Sequence, residues 1–515
     1  MKNTFLTVSC MLGCMITTSL PAQQATMKID ILRQVGEIDR NIYGVFMEPI
    51  RNSMDGLLYN PEHPLANEHG FRSDYIEAAR ELKLTNMRWP GGNYTASYNW
   101  QDGIGPREDR PVRRELAWNV LDRNHVGTDE WLQLASDMGV ENSICINGGT
   151  GTLDDARYWI EYVNSPVGSY YADLRAKYGH EEPYHVKYWH LGNEVDGEPW
   201  QVAYKSVEDY VKFAKEAAKI MLYVNRGCRT CTQPVFIAMG SSWVVHGGVP
   251  GEWETWNWHV LDEMVDEPNV EYIAIHRYWG GFNQGPEVYL GDWAEHFDDY
   301  ITTTKNQIQI AKEKNHVREK PFYIAFTEWS PRGGGTHMGT LASALHLNLF
   351  LRHADAVKRS NYTMFTSMLA HNREGQSYKT PFFYMYKLFS TNCHGKSLDV
   401  YLDCETFDGK EYKNIPYLDV SSAYDENEKT LVINVVNRNM EEAITTQIIS
   451  DTGNFKGNAT VSEINSKDVT ARYNYDEKDQ YLPVTSTFRT RGDTFTYTFP
   501  PHSFTQIRVA MDVPY

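Results

Sequence analysis

Residues 187–201 read KYWHLGNEVDGEPWQ. Lys187 to Leu191 is rich in β-formers, and the run passes directly into Gly192, Asn193 and Glu194. A strand with the composition of a buried one thus delivers an amide and a carboxylate side by side at its end. An unpaired carboxylate is costly to bury, so such a residue is either salt-bridged or used in chemistry. The choice depends on the fold that carries the strand.

Seven further apolar, strand-like runs accompany 186–194. They are NIYGVF (41–46), TNMRWPGG (85–92), NSICINGG (142–149), VFIAMGSS (235–242), VEYIAIHRY (270–278), FYIAFTEWS (322–330) and YTMFTSMLA (362–370). Segments with helical periodicity separate most of them. In SVEDYVKFAKEAAKIML, Val207, Tyr210, Val211, Ala214, Ala217 and Met221 share one stripe, and Ser206 with Asp209 resembles a capping box. TDEWLQLASDMG places Trp131, Leu132, Ala135 and Met138 on one face, with Gly139 as a stop. Strands alternating with helices imply parallel pairing, and eight such units predict a (β/α)8 barrel. The competing doubly wound sheet would want a glycine-rich loop after its first strand, and YGVFMEP is not one.

Past about residue 390 long helices vanish. TLVINVVNRN and DTFTYTFPPHSFTQIRVAM are β-like, and Phe495, Tyr497 and Phe499 alternate with threonines. This texture predicts an all-β sandwich over 391–515, joined by a strand from 26–40, with the barrel spanning 41–390. The first 25 residues carry one lysine, a short apolar run and then small polar residues, which reads as a secretory signal and an exported protein. A second reading makes Cys14 of MLGC a lipidated residue. Five of the seven cysteines lie beyond that segment, so complete internal pairing is excluded; Cys228 and Cys231 of GCRTC are placed to close a small disulfide or remain free.

The net charge is −18, without a lysine- or arginine-rich cluster, which argues against a nucleic-acid or anionic-membrane partner. Read at the strand ends of a barrel, the sequence supplies Glu48, Arg88, Asn93, Asn147, Asn193, Glu194, His276, Tyr278, Glu328 and Trp329. The set lacks a Ser-His-Asp arrangement and any metal-binding spacing, so no metal site is expected. Carboxylates ending strands four and seven would face each other across the barrel. Glycosidic hydrolysis needs such a pair: one acid protonates the leaving oxygen, and the other carboxylate attacks the anomeric carbon.

Longer stretches carry a resemblance. IYGVFMEP, NMRWPGGNYTASYNWQDGIGPREDRPVRRELAWN, YWHLGNEVDGEPWQ, HRYWG and FTEWS make the chain similar to glycoside hydrolase family 51, the α-L-arabinofuranosidases. The resemblance implies a retaining, exo-acting enzyme without a cofactor that removes arabinofuranosyl groups from arabinan, arabinoxylan or their oligosaccharides. It implies Glu194 as acid/base and Glu328 as nucleophile. Glu48, Asn93, Asn193 and Tyr278 would hold the sugar, Trp200 would lie near the entrance, and the subunits would form a homo-oligomer. Three departures stand out: Glu198 is an extra residue, EWSPRGGG replaces the usual sequence after the nucleophile, and a strand-eight glutamine has no clear counterpart.

Plainer readings accompany each assignment. Glu48 could pair with Arg88, Asn93 and Asn147 could serve their turns, His276 could orient a carboxylate, and Trp329 could be wall. A β-xylosidase or endo-β-glucanase on the same barrel, or a glycan-capture protein without turnover, are the rival functions.

Overall fold

The computed structural model describes residues 23–197, 201–242 and 252–513. Eight parallel strands close into a barrel: Gly44–Phe46, Asn86–Trp89, Glu141–Cys145, Tyr188–His190, Val235–Met239, Val270–His276, Tyr323–Trp329 and Val357–Thr363. They are numbered one to eight below. The helices form where periodicity and caps placed them. Thr128–Met138 stops at Gly139, whose φ of 75° is the left-handed conformation that suits glycine. Val207–Val224 begins at Ser206, whose hydroxyl accepts from the Asp209 amide at 3.2 Å, and it buries Tyr210, Val211, Ala214, Ala217 and Met221.

Strand eight departs from expectation. It was expected within 362–370, but it is Val357–Thr363, and Phe365–Ser367 is a short 3-10 turn. The strand hides in the sequence because VKRSNYT is polar. Arg359, Ser360 and Asn361 are nevertheless buried, and several of their polar atoms find partners on or beside other strands. Asn361 Nδ2 donates to the Val45 carbonyl at 2.9 Å and to Asn86 Oδ1 at 2.7 Å, and the Arg359 guanidinium lies 4.1 Å from the centre of the Tyr188 ring. Polar residues can fill a strand when partners from its neighbours satisfy them.

The second unit is one nine-stranded sheet that folds over its own core. The N-terminal strand Gln23–Glu37 pairs antiparallel with Lys396–Asp403 and parallel with Ile444–Ser450. Side chains from opposite ends of the sheet order meet inside: Phe455 and Phe495 have ring centroids 4.7 Å apart, and Phe488 lies 5.3 Å from Phe495. This is a sandwich, built from both chain ends.

Barrel and sandwich meet along the helix His337–Arg352. Asp419 accepts from Asn348 Nδ2 at 2.7 Å and Arg352 Nη1 at 3.0 Å, and Ser421 donates to Asn348 Oδ1 at 2.6 Å. Cys228 and Cys231 are disulfide-bonded, whereas Cys145 and Cys393 are buried free thiols. Of the 25 residues read as an export signal, those up to residue 22, Cys14 among them, lie outside the described residues, as do Glu198 and Trp200; residues 23–25 instead open the N-terminal strand, where they pair with 444–446.

Candidate active site

The site forms at the carboxyl ends of the barrel strands. Glu328 is the sixth residue of strand seven, almost fully buried. One of its oxygens, Oε1, accepts from Arg88 Nη1 at 2.9 Å, and the other, Oε2, accepts from the Tyr278 hydroxyl at 2.6 Å. Arg88 comes from strand two and is itself buried. It also donates to the Thr327 carbonyl at 3.2 Å, the Gly91 carbonyl at 3.0 Å and Asn193 Oδ1. One guanidinium thus fixes Glu328 and Asn193 relative to each other.

Glu194 lies just past strand four, with a φ of 43° in the left-handed region that non-glycine residues seldom occupy. Such backbone conformations cluster at working sites, held by the structure around them. Here the holders are His276, whose Nδ1 shares a hydrogen bond with Glu194 Oε1 at 3.0 Å, and Gln201, whose Nε2 donates to Oε2 at 2.5 Å. His276 is anchored from behind by Thr327 Oγ1, 2.7 Å from its Nε2. One oxygen of Glu194, one of Glu328 and a ring nitrogen of His276 lie within 4.8 Å of one another.

The two carboxyl groups sit in unlike surroundings. Burial, together with the charges of Glu328 and Asp196, pushes Glu194 well above the usual carboxylate range. Burial alone would push Glu328 up as well. His276 in its charged form, the Arg88 guanidinium, whose charge is permanent, and the Tyr278 hydroxyl outweigh it and hold Glu328 below its ordinary value. Desolvation takes His276 down to about 4, so its imidazole is neutral at neutral pH. The surroundings therefore favour a proton on Glu194 and a charge on Glu328, the division of labour that acid and nucleophile require.

Glu48 follows strand one. Its Oε1 accepts from the Tyr94 amide and from Trp118 Nε1, both at 2.8 Å. Burial and the Glu328 charge push it up to about 8. It does not pair with Arg88, which is engaged by Glu328 and Asn193. Gly92 lies between: a Cβ there would come 2.8 Å from Glu48 Oε2 and 3.3 Å from Glu328 Oε1, so a side chain at this position would crowd both carboxyls. Asn93 Oδ1 accepts from the Val202 amide at 2.8 Å and thereby ties the loops after strands two and four together. Asn193 Nδ2 is buried without a hydrogen-bond partner among the described residues. A donor in that condition is poised for an acceptor on a bound molecule.

Two singled-out residues have plainer roles. Asn147 serves its turn, accepting from Gly149 and Thr150 amides at 3.0 Å each. Trp329 is fully buried wall, with Nε1 3.3 Å from Ser360 Oγ. Strand eight contributes Thr363, 3.4 Å from the Tyr278 hydroxyl, and the strand contains no glutamine. Sequence reading gave no role to Gln201 or Trp118. Both lie inside stretches quoted for the resemblance, but only the folded chain shows them donating to Glu194 and Glu48. Glu194, His276 and Glu328 are also close enough to hold a cation. Arg88 opposes it, because a fixed positive charge already sits 2.9 Å from Glu328 Oε1.

Comparison with known proteins gives concordant matches. Residues 78–225 match the family model described as the alpha-L-arabinofuranosidase 1 domain, and residues 332–503 match the alpha-L-arabinofuranosidase C-terminal domain. The intracellular exo-alpha-(1->5)-L-arabinofuranosidase 1 of Bacillus subtilis is 32% identical, over 83% of this chain and 87% of its own. The alpha-L-arabinofuranosidase C of Emericella nidulans is 31% identical over 95% of this chain and 99% of its own. Among solved structures, the arabinose complex of the Thermotoga maritima alpha-L-arabinofuranosidase superposes with a TM-score of 0.82 at 31% identity, covering 94% of this chain and 99% of that one. The family 51 enzyme of Bifidobacterium longum gives 0.84 at 25% identity, covering 95% and 100%. A family 44 xyloglucanase of Paenibacillus polymyxa, at 14% identity and a TM-score of 0.58, shares the fold alone. The comparisons also correct one expectation. Export was read from the N-terminus, but the Bacillus subtilis and Halalkalibacterium halodurans relatives are named as intracellular enzymes. No described helix is long and apolar enough to cross a membrane.

Proposed function

The chain belongs to the α-L-arabinofuranosidases of glycoside hydrolase family 51, enzymes that hydrolyse terminal arabinofuranosyl residues, and on that premise we propose a double displacement with Glu328 as nucleophile and Glu194 as acid/base. One observation carries the proposal: two carboxyl groups of opposite protonation tendency approach within 4.8 Å across the barrel mouth. That approach fits the ~5–5.5 Å spacing of retaining glycosidases and falls short of the ~6.5–9.5 Å that inversion needs to seat a water.

In the first step the Glu328 carboxylate attacks the anomeric carbon, and the Glu194 proton passes to the departing glycosidic oxygen. In the second step Glu194, now a carboxylate, takes a proton from water as that water displaces Glu328 from the sugar. As Glu328 gives up its charge to the new bond, Arg88 and Tyr278 lose a partner. They therefore stabilise the resting ionised form and the departing carboxylate of the second step. Asn193 Nδ2, Glu48 and Asn93 are positioned to bind the hydroxyls of the ring. The relatives named for exo action on α-1,5 linkages favour α-1,5-linked arabinan oligosaccharides as substrates, with arabinoxylan side groups as the comparison.

Methanol as a competing acceptor tests the mechanism. Retention yields methyl α-L-arabinofuranoside, identified by its anomeric NMR signal. Formation of the β-anomer, or unchanged turnover in Glu328→Ala, would contradict the assignment.

A further inference from the structure

A nucleophile and a leaving group occupy opposite faces of the sugar carbon, so the side that carries the acid is the side on which the rest of the glycan lies. Glu194 marks that side. The segment following it is closed at its base by the Lys205 amide, which donates to the Val195 carbonyl at 2.8 Å. Within it, Gln201 touches Glu194 and the Val202 amide touches Asn93. Two residues later stands Tyr204. Its side chain is 80% exposed, more than that of any other large apolar or aromatic residue among those described.

The ring is exposed but not loose. Gly197 sits beneath it with a φ of 69°, and a Cβ at that position would come 2.3 Å from Tyr204 Cδ2. The root of the side chain and one ring carbon therefore pack against glycine backbone, and any side chain at 197 would displace them. The other well-exposed tyrosines stand elsewhere. Tyr170, Tyr178 and Tyr223 lie on or beside helices, and Tyr401 lies on a sandwich strand. Tyr204 alone of the five follows the end of a barrel strand. Across the mouth, the loop after strand seven reads SPRGGGT and offers no ring.

We propose that Tyr204 is the stacking platform for the leaving-group sugar, the saccharide ring to which the scissile arabinofuranosyl residue is attached. A neutral sugar has an apolar C–H face, which the tyrosine ring covers, and hydroxyls that the phenol can meet at its edge. The inference rests on Glu194 as acid/base, because that role fixes the side of departure.

The test compares α-1,5-L-arabinobiose with methyl α-L-arabinofuranoside, whose leaving group is too small to reach the ring. The quantity read is the ratio of kcat/KM for the two substrates, which is independent of the fraction of folded enzyme. In Tyr204→Ala the ratio should fall about ten-fold, the size expected for truncating one aromatic anchor. In Tyr204→Phe, which keeps the ring, it should stay within two-fold of the parent. A ratio unchanged in Tyr204→Ala overturns the proposal, whether both substrates are unaffected or both decline together through the loop that carries Gln201. An equal fall in Tyr204→Phe also overturns it, since the hydroxyl and not the ring would then matter. Failure of the acid/base assignment shows separately, as full activity of Glu194→Gln on arabinobiose.

Discussion

Replacing Glu194 with Gln removes the proton and leaves the shape. Gln201 Nε2 and His276 Nδ1 lie 2.5 and 3.0 Å from the two carboxyl oxygens. An amide can keep one of these contacts as it is, so the fold should persist with at most one hydrogen bond lost. What disappears is general acid assistance, worth roughly 10²–10⁴ in rate. At about 1.4 kcal/mol per ten-fold, that is about 3–5.5 kcal/mol of barrier. The loss should depend on the leaving group. Arabinobiose leaves as an alkoxide that needs the proton and should bear the full effect. A dinitrophenyl arabinofuranoside leaves as a stable phenolate and should form the glycosyl-enzyme at nearly the parental rate, then stall for want of the base. Azide, which needs no base, should restore turnover and yield the arabinofuranosyl azide. The pH profile supplies a second reading. Burial and the Glu328 charge raise the Glu194 pKa, so the protonated form, and with it activity on arabinobiose, is lost as pH rises through that value. The variant should lack that alkaline limb. The same loss on both substrates, together with a surviving limb, would refute the assignment.

Other consequences follow from the same geometry. In Tyr278→Phe the 2.6 Å donor to Glu328 Oε2 is gone, one of the contacts that hold the nucleophile ionised, so the acid limb of kcat/KM should move to higher pH. An unmoved limb would show that the Arg88 guanidinium suffices. His346 is fully buried among Trp279, Phe297, Phe326 and Trp329, with neither ring nitrogen hydrogen-bonded among the described residues. Burial keeps its folded pKa well below the ordinary histidine value. The unfolded chain therefore binds the extra proton first, and stability should decline as pH falls below about 6.5. His346→Leu should make that decline shallower in urea titrations at two pH values, at no cost in stability near pH 7.5. Asp419→Ala removes the acceptor shared by Asn348 and Arg352 at the barrel–sandwich seam. It should destabilise by about 2–3 kcal/mol, less than a fully buried pair because Arg352 reaches solvent; calorimetric unfolding measures this.

The barrel was legible because seven of its strands are short apolar runs bounded by helical periodicity, and a run of that kind needs no knowledge of its neighbours. Strand eight was misplaced for the opposite reason: the partners that Lys358, Arg359, Ser360 and Asn361 do find, among them Glu37, Ile42, Val45, Asn86 and Tyr188, are distant in the chain. The carboxylates were legible too, since Asn-Glu after strand four and Glu-Trp at the end of strand seven are tied to strand ends by local spacing.

Sequence alone thus determined the fold class, the pair of acids and the family. The tertiary structure decided which of the two carboxyl groups is pushed toward its protonated form and which toward its charge. That depends on Arg88 from strand two and Tyr278 just past strand six converging on Glu328, while Glu194 meets His276 and the amide of Gln201 among the described residues. Charge and burial act through space. They cannot be read along the chain until it has brought those groups within a few ångströms of one another.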